Sequence, residues 1–412
     1  MNQDLRINKY LPVAILYFFF NSLFLPTGLF YTSILCPLFL IWIVYNKKTN
    51  VIFWFFICSI PYIIIHLVNG VVLPSYFKSY FLFFTVFVFC FCFYIYLTKG
   101  NSIISIYRHL LIWNFVFTVI AIVLFFTGGG DEIWYETSIT PGSKDIIRLK
   151  MFTTEASVYA LMLAPVALYY YLKLLLFRNK NPFIVFLMIT LPLCLSISFG
   201  VILGIFFSII FLFLSDVKLF FIKKKFPRLL LLTITILFSA IIFLIYVYPD
   251  NLIFKRFANV FEGNDSSFKG RTTDSFYLGY MIADMKSALF GAGFGQIKEL
   301  GFALFTKFYK HAYTKELISI PNVTGETIAI FGLFGLLLRF VLIFYFFFKT
   351  KVFNNYYRLA LFLFIFIYQF TGSYITNIPE YLIWIAAFTP RFKEFDKDQV
   401  HQLNQDIPNA IA

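Results

Sequence analysis

In a chain that is otherwise apolar, a few charged residues have the types and spacing for chemistry: Arg148, Arg256 and Arg271, with the acids Glu155, Glu326 and Glu380. Arginine presents a planar fork of donors that grips phosphate or carboxylate through two bonds at once. Two or three arginines converging from separate loops would hold an anionic headgroup, whereas a single one at a membrane edge is an interface anchor. Each glutamate opens an apolar run, in TTEASVYALML, TGETIAIFGLFG and NIPEYLIWI. At such a position the helix macrodipole favours negative charge, and beside an arginine-lined pocket the same acid would serve as a general base. Arg339 stands apart, 17 residues beyond Asn322 within an apolar run, and is expected to snorkel to the inner membrane surface.

The elements that must position these residues are membrane helices. The 412 residues are 60% hydrophobic and 13% charged, against about 25% charged for a soluble domain. Only helices and closed barrels satisfy every backbone group in lipid, and a spanning helix needs about 20 apolar residues. The apolar runs are continuous, so the chain is expected to be all-α and polytopic. Spans are expected near 9–26, 29–45, 51–68, 78–98, 103–126, 153–177, 182–198, 199–216, 229–247, 322–348, 357–376 and 378–390, about 12 in one transmembrane domain covering 1–412.

Charge sets the orientation. The formal net charge of +14 falls in short clusters between spans and forms no single face or tail, which argues against nucleic acid as a partner. The short connections on one side are basic, as at Lys47 and Lys48, Arg178 and Lys180, and Lys223 to Lys225. By the positive-inside rule that side is cytoplasmic, together with both termini and a tail over 391–412. Five cysteines, all within expected spans, imply no disulfide framework.

Two polar segments interrupt the apolar pattern, 127–150 and 248–321, and both fall on the outer side. Connections longer than about 12–15 residues are usually functional or disordered. In the second, Phe276, Tyr277, Tyr280, Met281, Met285 and Leu289 recur at helical spacing, which predicts an amphipathic helix on the membrane face or over a cavity. The GAGFG at 291–295 lacks the preceding strand and the Lys-Ser/Thr of a phosphate loop. A helix-ending turn that lets backbones approach closely is expected there. The four histidines are scattered, and no HExxH, CxxC or Asp-x-Asp is present, so neither a metal nor another cofactor is expected.

The order of features carries a resemblance: MFTTEASVYALML entering a span after a long outer loop, SISFG between two short spans, KGRTTDSF followed by MKSALFGAGFGQ, then PN followed by GLFG. Over roughly residues 145 to 340 this resembles the Wzy-type O-antigen polymerase and O-antigen ligase superfamily. The resemblance implies a bacterial inner-membrane protein with enlarged periplasmic loops and metal-independent transfer of glycan from an undecaprenyl-diphosphate carrier. Membrane lipid, a chain-length regulator and a flippase would be the other partners.

By the same resemblance Arg148 and Arg271 hold the carrier's diphosphate or the glycan. Asn322 is followed at the family's spacing by Gly332 and Gly335, but the position of the ligases' histidine is Pro321, which favours the polymerase branch, with His311 as a partial substitute. Arginines must then supply the cations for the leaving diphosphate. Arg148, Arg271 and Glu155 are the expected catalytic residues, with Glu155 as base. Arg256, Asn322, His311, Glu326 and Tyr277 are expected in substrate binding, Tyr277 as a face on which a sugar stacks. The rival readings are the ligase and a lipid-linked oligosaccharide transporter. A transporter would carry charge deep in several spans, and here the charges are expected at span ends.

Overall fold

A computed structural model describes residues 31–99, 103–138, 145–177, 181–216, 266–310, 314–315 and 318–405. The apolar runs form helices: α1 (Tyr31–Tyr45), α2 (Asn50–Val68), α3 (Leu73–Thr98), α4 (Ile103–Phe126), α5 (Ala156–Leu176), α6 (Pro182–Ser196) and α7 (Phe199–Ser215). After a π-helical turn at Gly270–Asp274 come α8 (Ser275–Asp284), α9 (Gln296–Tyr309), α10 (Val323–Lys349), α11 (Tyr356–Tyr368), α12 (Ile378–Phe388) and α13 (Lys397–Gln405). Proline stands in the first turn of α3, α6 and α12, where its missing N–H would have had no intrahelical partner.

Helices α2, α3, α4, α5 and α10 are 19 to 27 residues long and apolar enough to cross a membrane, and α1, α6, α7, α11 and α12 are shorter apolar helices. The expected spans near 9–26 and 229–247 lie outside the described residues.

The described chain divides into two compact units. The first takes in residues up to Ile103, Gly270–Thr350 and Ile365–Thr389. In it α1 and α12 pack on α3, while α8 packs along α10 and also meets α9. Its core gathers Tyr76, Tyr80, Leu278, Ile282, Phe294 and Ile330. The second takes in Ile104–Lys269, Lys351–Phe364 and Pro390–Ala412, with α5 against α6 and α7. There Tyr159 donates to Asn114 at 2.7 Å, and Tyr357 donates to Tyr107 and to the Pro165 carbonyl.

Two local features depart from an all-α reading with continuous spans. The connection over 127–150 holds an antiparallel pair, β1 (Trp134–Ser138) and β2 (Asp145–Leu149), with Tyr135 opposite Arg148. Aromatic and β-branched residues dominate both strands and favour a pleated surface, and Trp134 anchors the ribbon by donating to the Ala121 carbonyl at 3.0 Å. In addition, the run expected to span 357–376 leaves the helix after Tyr368. Its QFTGSYITN segment turns, with Ser373 at φ 70°, because Thr, Ser and Asn offer the backbone competing local bonds.

Candidate functional site

Arg271 lies on the π-helical turn, which opens directly into α8. That turn is fixed from outside by Asn322, the N-cap of α10, whose Oδ1 accepts from Gly325 N while its Nδ2 donates to the Arg271 and Phe370 carbonyls. Helices α8 and α10 approach so closely that a Cβ on Gly279 would stand 2.4 Å from the Gly325 carbonyl oxygen. Asp274, buried at the head of α8, accepts from the Tyr309 hydroxyl at 3.1 Å and from Thr273 at 3.3 Å. The half-buried Arg271 guanidinium, by contrast, has no hydrogen-bond or ion-pair partner among the described residues. A cation on a clamped backbone with donors unfilled is suited to an anionic ligand.

The predicted amphipathic helix is present as α8, over part of its expected length, with its large apolar side chains on the exposed face. Ser275, Leu278, Gly279, Ile282 and Ala283 are buried, whereas Tyr277, Tyr280, Met285 and Leu289 are exposed. Small residues are what let α8 settle on α10, so the large side chains point outward. Tyr277 stacks obliquely on Phe308, ring centres 5.7 Å apart.

The glycine motif completes a backbone crossing. α10 is broken at Gly332, which adopts φ 70° and ψ −169°. Across the break Leu333 N and Phe334 N donate to the Ala288 and Leu289 carbonyls, while Ala292 N and Gly293 N donate to the Ala329 and Ile330 carbonyls. A Cβ on Gly291 would stand 2.3 Å from the Ile330 oxygen, and one on Gly332 2.3 Å from the Leu289 backbone. Glycine is therefore required on both strands of the crossing, and the close approach expected of GAGFG is observed. His66, fully buried on α2, donates from Nε2 to the Phe290 carbonyl at 2.8 Å, which leaves Nδ1 to accept from Tyr76 at 3.1 Å.

Beyond the break, Arg339 does not snorkel. Its Nη2 donates to Glu380, and its Nε donates to Gln369 Oε1 at 3.1 Å. Glu380 is fully buried and also accepts from Ser373 Oγ and Trp384 Nε1. Ser373 in turn accepts from Asn377 Nδ2 at 2.8 Å. An arginine this far along its helix finds an internal carboxylate at less cost than an unpaired charge in lipid. The charges of this chain are thus not confined to span ends. Glu326, half-buried in the first turn of α10, accepts from Ile375 N on the same polar turn.

In the second unit Arg148 donates from Nε to the Ser196 carbonyl at 3.0 Å, closing the last turn of α6 where Ile197 is left-handed. Glu155 is the N-cap of α5 but its side chain makes no capping bond. It is exposed and accepts from Ser157 at 3.0 Å. Arg271, Asn322, Glu326 and Tyr277 thus belong to the first unit, and Arg148 and Glu155 to the second. His311 and Arg256 lie outside the described residues. Sequence reasoning missed the partnership of Arg339, Gln369, Ser373, Asn377 and Glu380, for which a charge deep in an apolar run was the available signal.

Long apolar helices, a helix broken inside a span and an ion pair among them define a mostly helical membrane-embedded protein. No family model matches the chain, and no curated protein is significantly similar to it.

Proposed function

We propose that this protein polymerises undecaprenyl-diphosphate-linked oligosaccharide repeat units into O-antigen or a related surface polysaccharide, on the periplasmic face of a bacterial inner membrane. The observation that carries the reading is Arg271, a guanidinium without a partner among the described residues, on a backbone clamped by Asn322. In the reaction an acceptor sugar hydroxyl attacks the anomeric carbon. The bond from that carbon to the diphosphate breaks, the diphosphate keeps the electron pair, and the hydroxyl proton passes to a carboxylate base. Charge therefore grows on the diphosphate, where a fixed guanidinium is worth most. Arg148 and Glu155 remain candidates within the second unit and are tested by their own variants.

A second reading, a transporter of the lipid-linked oligosaccharide, gains support from the buried Arg339–Glu380 pair, since charge inside spans marks translocation pathways. Complementation of a polymerase-null strain that makes the matching repeat unit separates the two. Wild type is expected to restore a glycan ladder, and Arg271→Ala to reduce it to single capped repeats at equal membrane level. Attachment of preformed polymer to lipid A core would instead indicate a ligase, and a shift only in where the lipid-linked repeat accumulates would indicate a transporter.

A further inference from the structure

The polar cluster of the first unit holds more negative than positive charge. Glu326 and Glu380 are both tied to the Gln369–Asn377 turn, Glu326 through Ile375 N and Glu380 through Ser373. Arg339 lies within electrostatic range of both carboxylates and is bonded to Glu380. Among apolar helices an uncompensated carboxylate is strongly disfavoured unless it is neutralised. Among the described residues no other cation answers it. Around Glu326, α12 brings Glu380 and Tyr381, and α3 brings Cys90 up to Tyr381. The buried residues of α8 carry no charge, the buried Asp274 just ahead of it is held by Tyr309, and Arg271 on the same turn is bonded to neither carboxylate. On α9, Glu299 is engaged by Ser75 and Lys315.

A second observation points to the same place. Gln369, Arg339, Glu380, Ser373 and Asn377 form an unbroken chain of hydrogen bonds, and each end carries a buried polar atom with no partner among the described residues, Gln369 Nε2 and Asn377 Oδ1. Asn377 Oδ1 is an acceptor without a donor, two residues along the turn from the amide that holds Glu326. Buried polar atoms in native proteins are rarely left so.

We propose that Glu326 is a membrane-embedded proton-binding site, whose bound proton compensates the carboxylate that Arg339 leaves unpaired. The carboxylic acid so formed brings the cluster a donor of the kind Asn377 Oδ1 lacks. Glu380 keeps the guanidinium to itself. This inference is independent of the glycan chemistry, and it survives whichever reading of the activity holds.

The test is labelling of the full chain in lipid vesicles with dicyclohexylcarbodiimide, an apolar reagent that adds the O–H of a protonated carboxyl across its C=N bond and rearranges to a stable N-acylurea with no leaving group. Mapping by mass spectrometry is expected to find the adduct on Glu326 and not on Glu380, absent in Glu326→Gln, and falling about tenfold for each pH unit above its midpoint. In Glu380→Gln the freed guanidinium turns to Glu326, so labelling of Glu326 is expected only at lower pH. A purely structural Glu326 would not show that shift. An adduct on Glu380 in wild type, an unlabelled Glu326 at every pH, or a midpoint unmoved in Glu380→Gln overturns the proposal. Protection by sodium but not by choline at constant pH also overturns it, in favour of a bound cation.

Discussion

The heads of α5 and α10 read alike in the sequence, TTEASV and TGETIA, each an acid at the mouth of an apolar run after a long connection. They fold differently because a different residue does the capping. At α5 the acid itself is the N-cap, Thr153 is occupied by the Lys150 and Glu155 carbonyls, and the Glu155 carboxylate is left exposed. At α10 the cap is Asn322, four residues earlier, so that Glu326 falls inside the first turn and meets the backbone of a neighbouring turn. Position relative to the cap, more than the acid itself, decides whether a carboxylate is a surface group or part of a buried network.

If that contrast is right, substitutions around α10 are costly and those at the head of α5 are not. The largest effect is expected from Glu380→Ala, which strands Arg339 and should lower stability by about 3–5 kcal/mol. Combining it with Arg339→Met should recover most of the loss in thermal unfolding in detergent, and a double variant no better than the single would break the pairing. Gly332→Val forces a Cβ into the Leu289 backbone and is expected to cost about 3 kcal/mol or more. Asn322→Ala removes a cap and two tethers, for about 2 kcal/mol by the same measurement. Glu155→Ala should change stability by less than about 0.5 kcal/mol, so a lost glycan ladder at full expression would assign that carboxylate to chemistry.

The smallest effect concerns pH. Lys315 and Ser75 donate to Glu299 and hold its carboxyl below the ordinary 4.5. A carboxyl lowered on folding stabilises above its unfolded value and ceases to do so as pH falls through the folded one. Melting temperatures of wild type and Glu299→Gln should therefore differ above about 4.5 and converge in stronger acid. Curves that stay parallel would show that this partly exposed pair contributes nothing measurable.

Much of the helical architecture was legible because lipid leaves the backbone so few options. The runs around α2, α4 and α10 could be read to within a few residues, and GAGFG was legible as a close backbone approach. The turn at Gln369–Asn377 was not, because an apolar average over 357–376 hides Gln369, Thr371 and Ser373, and Asn377 stands alone between two expected spans. The apolar stripe of α8 was legible from its spacing, but its packing on α10 was not, because that depends on Gly279 meeting Gly325 across two distant segments. The partner of Arg339 lies 41 residues away, beyond any local pattern.

The crossing at Gly332 also bears on biosynthesis. As a lone span in lipid, α10 has to bond its own backbone throughout, with Leu333 and Phe334 reaching back one turn to Ala329 and Ile330. In the folded unit those two amides and those two carbonyls have each taken a partner from the segment 288–293, so two bonds within one helix give way to four between segments. A lone α10 is thus expected to be straight, and its bend depends on the segment 288–293, which precedes it in the chain.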